Sequence, residues 1–455
     1  MANRRCWHGV TACVTLGVFC LAGCPKPQDV PQQVPQGAGG DTGKTAPSTA
    51  SDSKVPPGTD SVNKPTASAA DVKAARARID ALGSRSQYTP KDGDWLTEIV
   101  IQDGSNLNAD DLVLFGKLTD LKKLQIFNCR ALNDEMAATL SGLQGLTSLA
   151  VTNSVINDAT VEMIVKSFPN LTELDLSSNT NMTNGVVKIV SELGNLQRLT
   201  LLQNQVNDIG AQRLSKLQEL RSLDLRGNME AGDMALDVVA DLPKLAAFKH
   251  RSTAVTDSGM EYLARNQALE SLLVQDFAIT DQSGPHLAKL GKLSQLEIFR
   301  CQGFGSDGVL ALKGMGLTRL TLRDLPNTDD RGMEVFDDLP KLKRLYLHEL
   351  TSVGDAGLKH LEALKSLELL DIWTVPQMTD ATIDVISTLP NLKELSIRAT
   401  GVTDAGIDKL LSMSALQSLT LKENGSITAE GLKKLGTRKW SKLDLGTSES
   451  SETVP

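Results

Sequence analysis

Aromatic residues are scarce in this 455-residue chain, at 4% of positions, so each one carries information. Cysteine is scarcer where it matters. Of six cysteines, Cys6, Cys13, Cys20 and Cys24 fall at the N-terminus, and only Cys129 and Cys301 lie in the rest. That excludes a disulfide framework. There is no excess of positive charge. The formal net charge is −8, which argues against bulk nucleic-acid binding. No long hydrophobic run is present either. The apolar stretch Gly9–Leu21 is too short to span a bilayer as a stable helix. No GxSxG, HExxH, phosphate-binding loop or dinucleotide fingerprint occurs, so the common hydrolase, metalloprotease and nucleotide signatures are missing. The 40% hydrophobic content is still enough for a core.

The first residues have the form of a targeting segment. Arg4 and Arg5 precede the apolar stretch, which ends in Leu21-Ala22-Gly23-Cys24. This resembles the lipobox of bacterial lipoprotein signal peptides. The resemblance implies that residues 1–23 are removed and that Cys24 takes a lipid, anchoring the protein to a membrane. It also implies a bacterial cell envelope. Pro25, where inner-membrane lipoproteins often carry Asp, favours the outer membrane or cell surface over the cytoplasmic membrane. Residues 24–70 hold Pro, Gly, Ser, Thr and Ala with almost no large apolar side chains, and are expected to form a disordered tether. Asp71 is expected to cap a helix whose apolar face is Val72, Ala75, Ile79 and Leu82. Residues 71–95 then form a capping helix and lead-in, and 447–455 a disordered tail.

From Leu96 to Trp440 the chain repeats every 24 or 25 residues. Each unit opens Leu-x-x-Leu-x-Leu, as in LTELDL (171–176), LTRLTL (317–322) and LQSLTL (416–421). About fourteen units and a terminal strand fill residues 96–446. The second half of a unit has its own form, as in VTDSGMEYL (255–263), VGDAGLKHL (353–361) and VTDAGIDKL (402–410). Its Thr and Asp are expected to cap a short helix with an apolar inner face. The chain resembles the leucine-rich-repeat family, in the Asp-Gly form of ribonuclease-inhibitor-like and F-box-linked proteins, though no F-box precedes the array. The resemblance implies an α/β fold: a right-handed solenoid or horseshoe, with a parallel β-sheet on the concave face and helices on the convex face. The ninth position is Asn179, Asn204, Asn228 and Asn424 in four units and Cys129 and Cys301 in two. In the family that position bonds the backbone between units, so the two Cys are expected to be structural. At ~34 Å apart by strand spacing they cannot pair. Units ten to twelve carry Leu325, Leu350 and Val375 there, with Pro326 and Pro376 following, and a bend or bulge is expected. His250 replaces a core Leu and is expected to be a satisfied buried histidine rather than a metal ligand.

Side chains alternate across a strand, so positions three, five and seven of each unit face the concave surface. In the second half of the array, position seven is Phe299, Arg323, His348, Trp373, Arg398 and Lys422. Position five adds Tyr346 and Asp371, and position three adds Arg319 and Arg344. Trp, Tyr and Arg are enriched at binding hot spots. Phe299, Arg323, Tyr346, His348, Trp373 and Arg398 are therefore the candidate ligand-binding residues. Trp95 and Trp440 lie at the ends of the array, where capping accounts for them.

A catalytic reading has one candidate set, His348, Asp371 and Ser396. Ser396 is two strands from His348, ~10 Å away, which is too far for a nucleophile and its base. The Asp ladder at 257, 281, 307, 330, 355, 380 and 404 supplies one carboxylate per unit, which helix capping explains without calcium. No catalytic residue, metal or cofactor is expected. The sequence points to a non-catalytic, membrane-anchored scaffold that recognises a protein or peptide partner on its concave face. A structural cell-envelope protein, or a binder of an acidic glycan or cell-wall polymer, is the alternative.

Overall fold

The computed structural model describes residues 67–446, all within one unit of the chain, 63–455. The expectations for the signal segment, Cys24, the tether up to residue 66 and the tail at 447–455 lie outside the described residues. Sixteen strands form one sheet in strict chain order. The first eight are β1 (Ser86–Thr89), β2 (Glu98–Ile101), β3 (Lys123–Phe127), β4 (Ser148–Thr152), β5 (Glu173–Asp175), β6 (Arg198–Thr200), β7 (Ser222–Asp224) and β8 (Ala247–Arg251). The second eight are β9 (Ser271–Gln275), β10 (Gln295–Phe299), β11 (Arg319–Arg323), β12 (Arg344–His348), β13 (Leu369–Val375), β14 (Glu394–Thr400), β15 (Ser418–Lys422) and β16 (Lys442–Gly446). Every pair from β2 onward is parallel, with a helical or 3₁₀ return between strands.

The Leu pattern dictates this arrangement. The two Leu of each strand point away from the solvent face and stack on their counterparts in the next unit, as Leu320, Leu345, Leu370 and Leu395 do in register. All four are at most 2% exposed, and each such burial contributes roughly 1.5–3 kcal/mol. One unit cannot bury its own apolar face, so stability comes from the stack.

Several local expectations need correction. The first helix, α1 (Ala69–Ala81), starts three residues earlier than expected. Its cap is Ser68, whose hydroxyl accepts from the Asp71 backbone N–H, and Asp71 sits in the first turn. The helix therefore begins inside the stretch assigned to the tether. β1 was not anticipated: it pairs antiparallel with β2 and, with α1, closes the N-terminal end of the sheet. Trp95 does not cap that end through its ring, which is 50% exposed and rests on Gly93. Trp440 does pack against the core and donates its indole N–H to Leu435 O at 2.8 Å. No bulge interrupts units ten to twelve. β11, β12 and β13 pair residue for residue, because Leu325, Leu350 and Val375 fill the ninth position as fully buried apolar side chains.

The ninth-position Asn residues behave as expected. Asn179 Nδ2 donates to Val151 O and Leu176 O, and its Oδ1 accepts from Ser154 N–H, joining two units. Cys129 and Cys301 are free and buried, and burial pushes the Cys301 thiol up to about 12. His250 is fully buried between Phe248 and Phe277, with Nδ1 3.1 Å from Leu225 O and Nε2 2.8 Å from Ala231 O. Burial holds its pKa below the ordinary imidazole value despite the two carbonyls.

The Asp ladder is not a set of helix caps. Thr256, Thr379, Thr403 and Thr428 are the caps. The Asp in the first turn of a helix reaches the next unit. Asp233 accepts from Thr256 N–H at 2.7 Å and Thr256 Oγ1 at 2.6 Å; Asp380 does the same to Thr403 at 3.0 and 2.6 Å. This also explains the Gly of the motif. A Cβ on Gly406 would lie 2.7 Å from Asp380 Oδ1, and one on Gly357 would lie 2.7 Å from both Asp330 Oδ1 and Asp330 Cα. In two units without this Gly a hydroxyl stands in its place, as Thr382 and Ser283 donate to Asp355 and Asp257, while Ala235 fills it against Asp208. Asp307 is not part of the ladder. Ser306 takes that place and bonds Asp329, so the acid and hydroxyl have exchanged units, while Asp307 pairs with Arg331.

Candidate functional site

The solvent face of β10–β14 brings the six candidate residues together. Along each strand the alternation is strict: in β12, Leu345 and Leu347 are buried while Tyr346 and His348 turn outward. Parallel register then sets Arg323, His348, Trp373, Arg398 and Lys422 in one row and Thr321, Tyr346, Asp371, Ser396 and Thr420 in the next.

The arginines and rings of this face interleave. The Arg323 guanidinium lies 4.3 Å from the Phe299 ring centre and 5.3 Å from that of Trp373, reaching across the His348 strand. Arg398 covers Trp373 from the other side at 5.2 Å. Arg300 stacks on Phe299 at 4.6 Å, and Arg319 on Tyr346 at 4.9 Å. His348 meets Tyr346 and Trp373 edge-on at 6.0 and 5.8 Å. Such cation–ring contacts contribute roughly 0.5–1 kcal/mol each at exposed sites. Trp373 is consequently half-buried, its position off the Leu beat explained by the two guanidiniums that flank it.

Carboxylates tie the outer ends of the arginines. Arg319 pairs with Glu297 at 3.1 Å, Arg323 with Glu349 at 2.9 Å and Arg398 with Asp371 at 3.2 Å. Burial alone would raise the Asp371 pKa, but His348 and Arg398 outweigh it and hold the group below the usual carboxylate range. Asp276 is held down in the same way by Arg300 and Arg251.

Arg300, Arg319, Glu297 and Glu349 were not among the sequence candidates. Arg300 and Glu349 occupy the eighth position, where the backbone turns left-handed (φ 55° and 56°) and returns the side chain toward the neighbouring strand. Reading the seventh and eighth columns together is the signal that would have found Arg300 and Glu349; Arg319 and Glu297 lie in the third and fifth columns. Next to this array lies a depression of about 340 Å³ lined by Tyr346, Asp371, Ser396, Arg398, Lys422 and Asp444. Of the candidates, Tyr346 and Arg398 reach it, whereas Phe299 and Arg323 do not. The register keeps Ser396 two strands from His348, whose Nε2 is 3.6 Å from Asp371 Oδ1, beyond hydrogen-bond reach. Among the described residues no group of three or more His, Cys, Asp or Glu side chains is arranged to hold a metal ion. No described helix is long and apolar enough to cross a membrane.

A family model described as a leucine-rich repeat matches residues 169–185, the segment holding β5. The solved structure of the Rad7 and Elc1 complex in yeast is similar at 18% identity and a TM-score of 0.51, over 73% of this chain and 90% of that one. The fold is a leucine-rich-repeat solenoid. An internalin (inlF) from Listeria monocytogenes is also similar, at 18% identity and a TM-score of 0.47, over 84% of this chain and 96% of that one. No curated protein matches the chain. In the solenoid the Arg–aromatic array lies on the strand face, in units nine to thirteen.

Proposed function

We propose that this leucine-rich-repeat protein is a non-catalytic scaffold that holds a protein or peptide partner on the strand face of units nine to thirteen. The observation that carries the reading is the interleaved array Arg300–Phe299–Arg323–Trp373–Arg398 with Arg319–Tyr346 beside it. Rings and guanidiniums held against each other lose little further freedom on binding, and these are the side chains that dominate interface energetics. A rigid parallel sheet beneath fixes their spacing. The sequence adds the remaining elements of the proposal: lipid attachment at Cys24, residence in a bacterial cell envelope, and a tether that lets the solenoid reach its partner.

The test compares wild type with a Trp373→Ala/Arg398→Ala variant in capture from an envelope fraction, after both are shown to unfold at the same urea concentration. A partner identified with wild type and lost with the variant supports the reading. Identical capture by both sinks it. Separately, Cys24→Ala should move the protein from the membrane to the soluble fraction; retention in the membrane would remove the lipid anchor from the account.

A further inference from the structure

The strand face has one place where hydrogen-bond donors outnumber acceptors. Arg319 and Arg323 engage Glu297 and Glu349 only through Nη2, and the Nε–H of each is buried with no acceptor. Thr321 Oγ1, between them on β11, is also buried without a hydrogen-bond partner, as is His348 Nε2 on β12, whose nearest carboxylate, Asp371, is 3.6 Å away. These four atoms are clustered on two adjacent strands. Three of them carry a hydrogen in any protonation state. An unpaired buried donor costs roughly 1–3 kcal/mol, so a concentration of them favours a ligand that brings acceptors. Arg344 stands beside them on β12, exposed and with no ion-pair partner among the described residues. In a chain of net charge −8, with Arg319 and Arg323 each ion-paired, the uncompensated positive charge here is that of Arg344.

The spacing selects among acidic ligands. Arg319, Thr321 and Arg323 alternate along a single strand, with the two-residue period of extended backbone, about 6.6 Å. A peptide lying extended along β11 presents every second side chain at that same period. We propose that the partner offers an extended acidic peptide segment, carboxylates at alternate positions, received by Arg319, Arg323 and Arg344 around Thr321. This rests on the strand-face reading above and names the chemistry of the partner. The carboxylates bond the free Nε edges, completing side-on forks that Glu297 and Glu349 leave half-made. The Tyr346 and His348 rings flank the segment.

The experiment uses the full chain in detergent and three fluorescent probes: a Glu-Thr-Glu-Thr-Glu-Thr peptide, its Lys-for-Glu counterpart, and polygalacturonate. The Glu peptide is expected to bind, to weaken as salt is raised, and to lose about tenfold in affinity in Arg323→Gln. Arg344→Gln is the control for folding, because that side chain is exposed and makes no ion pair among the described residues; it too should weaken binding. No binding of the Glu peptide overturns the proposal, as does binding that both variants retain. Polygalacturonate binding in its place, lost in the same variants, also overturns it and assigns the site to an acidic polysaccharide. If the Trp373→Ala/Arg398→Ala variant loses its captured partner while the Glu peptide never binds, the scaffold reading stands and this inference alone falls.

Discussion

Gly357→Ala sets helix propensity against the inter-unit ladder. Gly357 lies in a short helical segment, Asp355–Leu358, without a positive φ, so propensity alone makes Ala the better residue by roughly 0.5–1 kcal/mol. The structure gives the opposite sign. The new Cβ would sit 2.7 Å from Asp330 Cα and 3.0 Å from its carbonyl oxygen, backbone atoms that no side-chain rotation can move. Overpacking of this kind costs about 1–3 kcal/mol. The shift also pulls Asp330 from the Gly354 N–H it accepts from at 2.7 Å, worth roughly 1.5–3 kcal/mol for a charged acceptor. The net expectation is a loss of about 2–4 kcal/mol. Urea unfolding gives the total, and hydrogen exchange at the Gly354 amide gives the local part. Gly194→Ala is the control, since its Cβ would meet nothing within 4 Å, and should stay within about 0.5 kcal/mol of wild type. A Gly357→Ala protein as stable as wild type would refute the account of why the motif pairs Asp with Gly.

Four further outcomes follow from the core and the ladder. His250→Leu restores the repeat pattern, yet it should destabilise by about 1–2 kcal/mol, because one carbonyl of Leu225 and Ala231 loses its donor; urea unfolding reads this. The same change should flatten the pH dependence below about pH 6.5: a depressed folded pKa means the unfolded chain takes the proton more readily, so stability is full above that pH and declines beneath it. Asp355 is also held below the ordinary carboxylate value: burial pushes it up, but the Thr379 and Thr382 bonds prevail. Its contribution is therefore present above about pH 4 and lost on further acidification. Melting temperature should fall between pH 5 and pH 3, and less so in Asp355→Asn; an equal fall in both contradicts the assignment. Cys301 should resist iodoacetamide at pH 8 until the protein is unfolded in urea, as read by peptide mass spectrometry; rapid native labelling would contradict its burial.

The period of 24 or 25 and the Leu-x-x-Leu-x-Leu beat made the strands, their parallel order and the outward-facing columns legible, because burial acts on side-chain type at fixed spacing. The partner of each ladder Asp was not legible. Its bonds go to residues 23 to 27 positions later, and only three-dimensional stacking brings them together. Ser68 escaped because Asp71 is an equally good cap by type, and geometry alone chose between them. The candidate rings were found from their columns. Their organisation was not, because Arg323 spans two strands to reach Trp373, and Arg300 enters from a left-handed turn residue.

Hydroxyl-radical footprinting of the complex with a captured partner tests the central claim most directly. The strand-face account predicts that oxidation of Phe299, Tyr346, His348 and Trp373 falls on binding, while exposed Tyr262 and Met234 on the helical side keep their free-state rates. Protection of Tyr262 and Met234 with unchanged oxidation of Trp373 would contradict it and move the partner to the helices.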